Sequence, residues 1–327
     1  MNRDLLTILV CPSCRSDLAL TAEESVGVIV ESGVLRCSSC SREYPITRGV
    51  PRFVPLENYA GSFGYQWNRF PRTQLDSFSG KPITRTRFFE SVGWIPSEMA
   101  GRRVLDVGCG SGRFAEVAMS TGARVVAVDY SAAVEAAQDN LGAREGIDIV
   151  QADVYALPFR DASFDFVYCL GVLQHTPDVR RAFLCLPRNL KSGGQLAVDL
   201  YPKLWMNVLW PKYWLRPFTK RMSKESLFRL VERMTPRLLP LSRAVGRIPL
   251  LGRRLRYLVP VADYKGLLPL SEVQLQEWSI LDTFDMLSPA HDHPQSAATL
   301  RSWLSEAGLV ATEVFRSGHL VGRGVRP

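Results

Sequence analysis

Nowhere in the 327 residues does an uncharged apolar run reach the roughly 18 residues of a membrane-crossing helix, so none is expected. The opening stretch, MNRDLLTILVCPSC, lacks the longer apolar run and small-residue cleavage site of a signal peptide. An even cysteine count is missing too: there are seven, and four of them form two C-x-x-C pairs. That usage speaks against a disulfide frame and for reduced thiols that bind metal, in a cytoplasmic location. Acids are nearly absent from one segment. Residues 202–256 hold fourteen Lys or Arg and two Glu, a net +12 in a chain whose total is +8, so everything outside that segment is net acidic. The apolar share of 46% and charged share of 22% are those of an ordinary globular protein. The length suits two domains, or one with a large insertion.

What is present centres on residues 104–115, VLDVGCGSGRFA. Alternating apolar residues run into a glycine turn, and Phe114, Val117 and Ala118 then recur at helical spacing. The spacing is G-x-G-x-G, not the G-x-G-x-x-G of dinucleotide sites. Asp106, inside the strand end, disfavours a pyrophosphate and suits a ligand with a positive amino group. Strands are predicted near 103–107, 124–128, 147–151, 164–169 and 195–200, alternating with helices as in a parallel sheet. The second strand ends in Asp129, about twenty residues past the glycines, where an acid can accept both hydroxyls of a ribose. A helix cap is the alternative reading there, one that Ser131 can also supply.

With these residues the stretch resembles the first motif of class I S-adenosylmethionine methyltransferases, and the resemblance extends over about 104–200. It implies an α/β fold, a doubly wound Rossmann-like methyltransferase sheet. It places Asp106, Gly108, Cys109, Gly110 and Gly112 in the cofactor loop, with Asp129 and Tyr130 at the next strand end. It sets Asp153 against the adenine amino group, or else as a turn cap, and has Val154 present a backbone amide. Leu170 becomes a wall of the cofactor site, and His175 the candidate catalytic base or substrate contact.

Residues 1–56 form a separate module. Cys11 and Cys14, then Cys37 and Cys40, can point four thiolates at one zinc ion. Short strand patterns lie between them at Val26 to Val30 and Val34 to Arg36. DLLTILVCPSC and YPITRGVPRFVP resemble the Trm112-like zinc-ribbon family, whose members bind and support methyltransferases. The resemblance implies a built-in version of that partner, with a closed structural zinc site. Residues 57–100 read as a linker and lid segment. Gly61, Gly64, Pro71, Gly80 and Pro82 are expected to break any long helix before one at 84–93. Gln66, Trp67 and Arg69 are candidate contacts to cofactor or substrate.

The methyltransferase core, 101–201, is interrupted by a mostly helical insertion, 202–296, before the last helix and two strands, 297–327. Trp205, Trp210 and Trp214 stand among basic and apolar residues. Four readings stay open for that half: a solvated cap, a face for anionic membrane, a face for RNA, or a site for a phosphate-bearing substrate. In the second half Asp282, Asp285, His291, Asp292 and His293 are candidate pocket residues. The spacing of His291 and His293 fits no standard metal-ligand pattern. The expected activity is methyl transfer from S-adenosylmethionine to a small-molecule or lipid-linked acceptor. The location would be cytoplasmic or peripheral at the inner face of the membrane, with zinc held in the ribbon. The alternatives are an rRNA base methyltransferase, for which an N-P-P-[YF]-like tetrapeptide is missing after the fourth strand, and a non-catalytic scaffold.

Overall fold

The computed structural model describes residues 1–55, 58–204 and 210–327. The chain begins with a four-stranded antiparallel sheet: β1 (Leu18–Val26), β2 (Ile29–Cys37), β3 (Glu43–Thr47) and β4 (Val50–Pro51). β1 and β2 form one hairpin that turns at Gly27 and Val28, where Gly27 has φ +60°. The strand expected over Val26 to Val30 is therefore the tip of a longer hairpin. The far half of β1 is exposed on both faces, so no apolar alternation marked it.

A helical lid follows, comprising α1 (Gly61–Arg69), α2 (Asp76–Ser79), α3 (Ile83–Val92) and α4 (Pro96–Met99). None of these helices exceeds ten residues, as the glycines and prolines led one to expect, though Gly64 lies inside α1. Gly64 is there for close approach: a Cβ on it would lie 3.0 Å from the backbone nitrogen of Ala132. Asn68 ties the contact by donating to the carbonyls of Gly64 and Ala132, each at 2.8 Å.

The core alternates β5 (Arg103–Val107), α5 (Arg113–Met119), β6 (Arg124–Asp129), α6 (Ala133–Leu141), β7 (Ile147–Gln151), β8 (Phe164–Cys169), α7 (Val179–Leu184) and β9 (Leu190–Leu200). After the insertion come α12 (Ala297–Glu306), β10 (Val310–Ser317) and β11 (His319–Val325). The sheet order is β10-β11-β9-β8-β5-β6-β7. Neighbouring strands from β9 to β7 pair parallel, and β11 runs antiparallel to both its neighbours.

Strand residues alternate between two cores, as a pleat with two buried faces requires. Val104, Val125, Ala127, Phe166 and Tyr168 pack with Phe88, Phe114 and Leu141 on the side of α3, α5 and α6. Leu105, Val107, Val126, Val128 and Val167 pack on the other face with Phe183 and Trp303, and with Leu5, Leu9, Leu35, Tyr44 and Phe53 of the ribbon. The connection from β7 to β8 carries only a three-residue 3-10 turn, Val154–Ala156, and the ribbon lies against it. Val10 donates to the carbonyl of Pro158 at 2.9 Å, and Arg160 to that of Ile8 at 2.8 Å. The ribbon also meets the sheet edge, where Phe53 donates to the carbonyl of Gln151 at 2.8 Å. Arg52 is buried between Gln151 Oε1 at 3.1 Å and Glu135 Oε1 at 2.6 Å.

The insertion forms a roof of α8 (Pro211–Thr219), α9 (Lys224–Gly246), α10 (Gly252–Leu255) and α11 (Glu272–Leu287). Leu227, Phe228 and Val231 of α9 pack on Phe284 and Leu287 of α11, with Tyr65 and Phe70 of the lid beside them. Trp205 lies outside the described residues. The stretch after α11 returns to the core, where His293 donates to the carbonyl of Gln174 at 2.8 Å and Gln295 to that of Tyr201 at 2.9 Å.

Leu9 is 1% exposed and sits where ribbon and core meet. Leu9→Ala is expected to lower the stability of the whole chain by about 2–5 kcal/mol, the cost of a cavity at a well-packed site. Urea unfolding followed by circular dichroism checks this; an unchanged midpoint would show that the ribbon's packing does not support the core.

Candidate cofactor and acceptor site

Two strand ends build the first half of the site. After β5 the chain turns through Gly108 and Gly110, with φ +83° and +55°. A Cβ on Gly108 would fall 2.3 Å from Val172, and one on Gly110 would fall 2.9 Å from the Trp67 indole nitrogen. Gly112 differs. It precedes α5, its Cβ would strike Leu141 at 2.6 Å, and it is not on the cavity wall. Asp129 at the end of β6 braces the turn. Its Oδ2 accepts from the Gly110 amide at 2.9 Å, and its Oδ1 accepts from the Ser131 amide at 2.8 Å and hydroxyl at 2.7 Å. A carboxylate has about four acceptor directions, so roughly one remains for a ligand. Ser131 in turn accepts from the Ala133 amide at 3.1 Å, so the helix start is served by Ser131.

Asp106 is 1% exposed, and its Oδ2 has no hydrogen-bond partner. Burial pushes its carboxyl up to about 8, against the neighbouring Tyr168 hydroxyl. It does not line the cavity. Asp153 does not either; its Oδ1 caps the turn by accepting from the Tyr155 amide at 2.9 Å, while Val154 does line the wall. Cys109, Tyr130, Leu170 and His175 all line it.

The cavity has a volume of about 410 Å³ and runs from the glycine turn to the underside of the roof. At its wall His175 is buried, with Nδ1 3.0 Å from the carbonyl oxygen of His291. A carbonyl only accepts, so Nδ1 carries the proton and Nε2 of the neutral ring keeps a lone pair. Burial lowers the pKa of this imidazole below its ordinary value. Its ring meets Phe63 at 5.0 Å and Tyr201 at 5.4 Å.

The far end is polar. Arg87 of α3 donates to Asp199 Oδ2 at 2.8 Å, and the Gly171 amide donates to Asp199 Oδ1. Arg113 donates to Gln74 and lies 4.4 Å over the Phe114 ring. Asp282 accepts from Tyr264 and from Gln74, and burial raises its carboxyl to about 6. His319 is lowered to about 4 by burial.

The lid contributes Gln66 and Trp67 to the wall, but Arg69 turns away to the Phe228 ring at 5.1 Å. From the insertion, Asp282 and Asp285 line the cavity, whereas His291, Asp292 and His293 do not. The His291 ring packs on Tyr59, and Asp292 pairs with Lys212 at 3.0 Å. Arg87, Arg113, Asp199 and His319 were not singled out in the sequence. Asp199 had a visible signal: like Asp106 and Asp129, it is an acid at the end of an apolar strand. Arg87 had none.

In the N-terminal ribbon, Cys11, Cys14, Cys37 and Cys40 bring their sulfurs within 4.8 Å of one another. Sγ of Cys11 is 3.7 Å from that of Cys40, and Cys14 is 3.4 Å from Cys37. A tetrahedral zinc with four thiolates has sulfur–sulfur edges of about 3.8 Å. The amides of Ser39 and Cys40 both point at Cys37 Sγ, at 3.4 Å. The donor set therefore fits zinc, and all four positions are filled by protein. Among the described residues no other cluster of this kind occurs.

Residues 105–198 match the family described as a methyltransferase domain, and residues 2–49 match the Trm112p-like protein family. The chain joins a Trm112p-like domain to a methyltransferase domain. The ubiquinone biosynthesis O-methyltransferase of Pseudomonas entomophila is 32% identical over 123 residues, covering 35% of this chain and 53% of that protein. The O-methyltransferase resE of Aspergillus sclerotiorum is 35% identical over 121 residues, covering 36% and 46%. The chain thus spans about half the length of these curated relatives. Among solved structures, a complex containing the Haloferax volcanii Trm112 methyltransferase activator matches at 16% identity and TM-score 0.45, covering 81% of this chain and 97% of that one. Magnesium protoporphyrin IX methyltransferase of Synechocystis matches at 17% and 0.43, covering 82% and 97%.

S-adenosylmethionine is the cofactor of such domains, and the residues of this methyltransferase domain fit it. Asp106 has a buried carboxylate oxygen lacking a partner, but it lies behind the cavity wall and not on it. The glycine turn admits close backbone approach, and Asp129 keeps acceptor capacity for a ribose hydroxyl.

Three outcomes are expected. Freshly prepared protein should carry about one zinc per chain by elemental analysis, and chelation should lower thermal stability. Asp129→Ala should weaken S-adenosylmethionine binding by roughly 1–3 kcal/mol in calorimetry. Gly110→Ala should weaken it as well, because an added Cβ would fall 2.9 Å from the Trp67 indole nitrogen on the cavity wall. Unchanged affinity in either variant would remove that residue from the cofactor site.

Proposed function

We propose that this chain transfers a methyl group from S-adenosylmethionine to an oxygen of a small-molecule acceptor, with His175 as general base. The observation that carries the reading is the buried His175 imidazole at the cavity wall, its tautomer fixed by a backbone carbonyl and its Nε2 left as an acceptor. The cofactor, when bound, supplies a methyl group activated by a positive sulfonium. The chain's own work is to hold, orient and dry the reactants. Asp129 takes a ribose hydroxyl, and Val154 and Leu170 the flat apolar parts. The roof and the lid helix α1 close the cavity over the strand ends. His175 Nε2 accepts the proton of an acceptor hydroxyl as the oxygen attacks. The O-methyltransferase names of the curated relatives support an oxygen acceptor.

The finer reading is a lipid-linked acceptor met at an anionic membrane surface. Its support is the basic, apolar insertion, which reaches the cavity through Ala262, Tyr264 and Leu268. No helix among the described residues is long and apolar enough to cross a membrane. The enclosed roof favours such an acceptor over a folded RNA.

Labelled S-adenosylmethionine incubated with cell extract and the protein should yield a labelled product by mass spectrometry. His175→Gln should lower the rate by about 10²–10⁴-fold, the range for a general base, with cofactor affinity kept. Burial lowers the pKa of His175, so the working neutral form persists below the ordinary histidine value. The rate should therefore be flat around neutrality and fall only as pH drops through that lowered pKa. Full activity in His175→Gln would overturn the assignment.

A further inference from the structure

The insertion's outer surface differs from its inner one in how charge is handled. Inside, Lys212 pairs with Asp292 at 3.0 Å, Arg243 and Arg256 pair with Asp263 at 3.8 and 3.9 Å, and Arg216 donates to the carbonyls of Met286 and Pro289. Outside, Arg229, Arg233, Arg237, Arg247 and Arg254 are exposed and enter none of the ion pairs found among the described residues of the insertion. Leu230, Arg233, Arg237 and Leu241 recur at three- and four-residue steps, so they share one face of α9. That face runs on into the turn between α9 and α10.

Among the described residues the turn holds the most exposed large apolar side chain. Ile248, Leu250, Leu251, Tyr257 and Leu258 are all exposed, with Leu250 at 101%. Leu250 also has φ +64°, a left-handed conformation that costs a leucine energy and that glycine or asparagine would occupy freely. A solvated loop tip gains nothing from a strained, bare leucine. Trp210 stacks on Tyr257 at 5.7 Å and so anchors the start of α8 to the tip. Of the tryptophans, Trp214 is exposed and Trp210 is partly covered, so the apolar apex is the 248–258 turn, not a tryptophan cluster.

We infer that residues 247–258 form a membrane-docking tip, in which Ile248, Leu250, Leu251 and Leu258 enter the interface of an anionic bilayer while the unpaired arginines of α9 and α10 meet its headgroups. Charge complementarity selects the occupant. Exposed arginines without acidic partners attract an anionic surface, while apolar side chains standing free of pockets suit an acyl boundary better than a polar polymer. The tip is also close to the cavity along the chain. Val259 and Val261 are buried behind it, and Ala262 and Tyr264 already line the cavity wall. An acceptor leaving the bilayer at the tip would have a short route to the site. The inference deepens the membrane part of the proposed function, and docking itself requires neither cofactor nor turnover.

The test is co-sedimentation of the full chain with phosphatidylglycerol–phosphatidylcholine vesicles, with pure phosphatidylcholine vesicles and a structured RNA as comparisons. The protein should bind the anionic vesicles at low salt and release as ionic strength passes the physiological range. Leu250→Asp with Leu251→Asp should lower the partition coefficient about tenfold. Arg247→Glu with Arg254→Glu should lower it and flatten its salt dependence. Both variants should bind S-adenosylmethionine like the parent, because neither pair touches the cavity. Leu250→Ser alone should give a smaller loss, a readout that stands even if the aspartate pair disturbs the turn. Failure to bind anionic vesicles, equal binding to neutral ones, variants that partition like the parent, or binding to RNA without vesicles would each overturn the docking tip. Methylation of a soluble acceptor would survive any of those results, and loss of methylation would leave the docking result intact.

Discussion

A parallel sheet must be covered on both faces, and this molecule meets that constraint with parts from opposite ends of its chain. One face of β5 to β8 is covered by α3, α5 and α6. The other is shared by α7, α12 and the N-terminal ribbon. The β7–β8 connection supplies only a 3-10 turn, so the ribbon stands where a crossover helix would otherwise shield the sheet. The four thiols close the ribbon, the ribbon closes the core, and the core holds the strand ends that make the site. The four-thiol cluster and the cavity are thus linked through the packing of the ribbon on the core.

The strand ends carry the chemistry because burial there makes carboxylates expensive to ionise and hence selective. Asp106, Asp129 and Asp199 end β5, β6 and β9, and each meets desolvation differently. Asp129 is compensated by three donors from its own loops and Asp199 by Arg87 and the Gly171 amide. Asp106 lacks such compensation on Oδ2 and is pushed up to about 8. Two acids thus organise the backbone around the cavity, and the third is left buried behind its wall with one oxygen unpaired.

The roof shows the same economy of charge in reverse. Lys212, Arg243 and Arg256 have acidic partners, and Arg216 has backbone carbonyls, that tie α8 and α9 to the segments near His175 and Asp282. Its outer arginines do not. A segment with a net +12 is therefore two surfaces with different purposes, one holding the cavity closed and one facing outward.

The features readable from sequence were those fixed by local rules. The glycine turn, the strand alternation and the C-x-x-C pairs each depend on residues a few positions apart, so the sheet, the cofactor loop and the four-thiol cluster were legible. The hairpin turn at Gly27 and the helix α1 were not. The first is exposed on both faces, and the second uses its glycines to approach Ala132, a contact no local rule contains. Gly112 and Asp153 lie off the cavity wall: Gly112 faces Leu141 of α6, and Asp153 caps its own turn at Tyr155, the alternative the sequence left open. The polar end of the cavity was decided by tertiary structure alone. Arg87 meets Asp199 across 112 residues, and His175 meets the carbonyl of His291 across 116. Sequence determined which local motifs exist; only the folded chain decided which side chains face the same cavity, because that depends on how distant segments bury their apolar faces against one sheet.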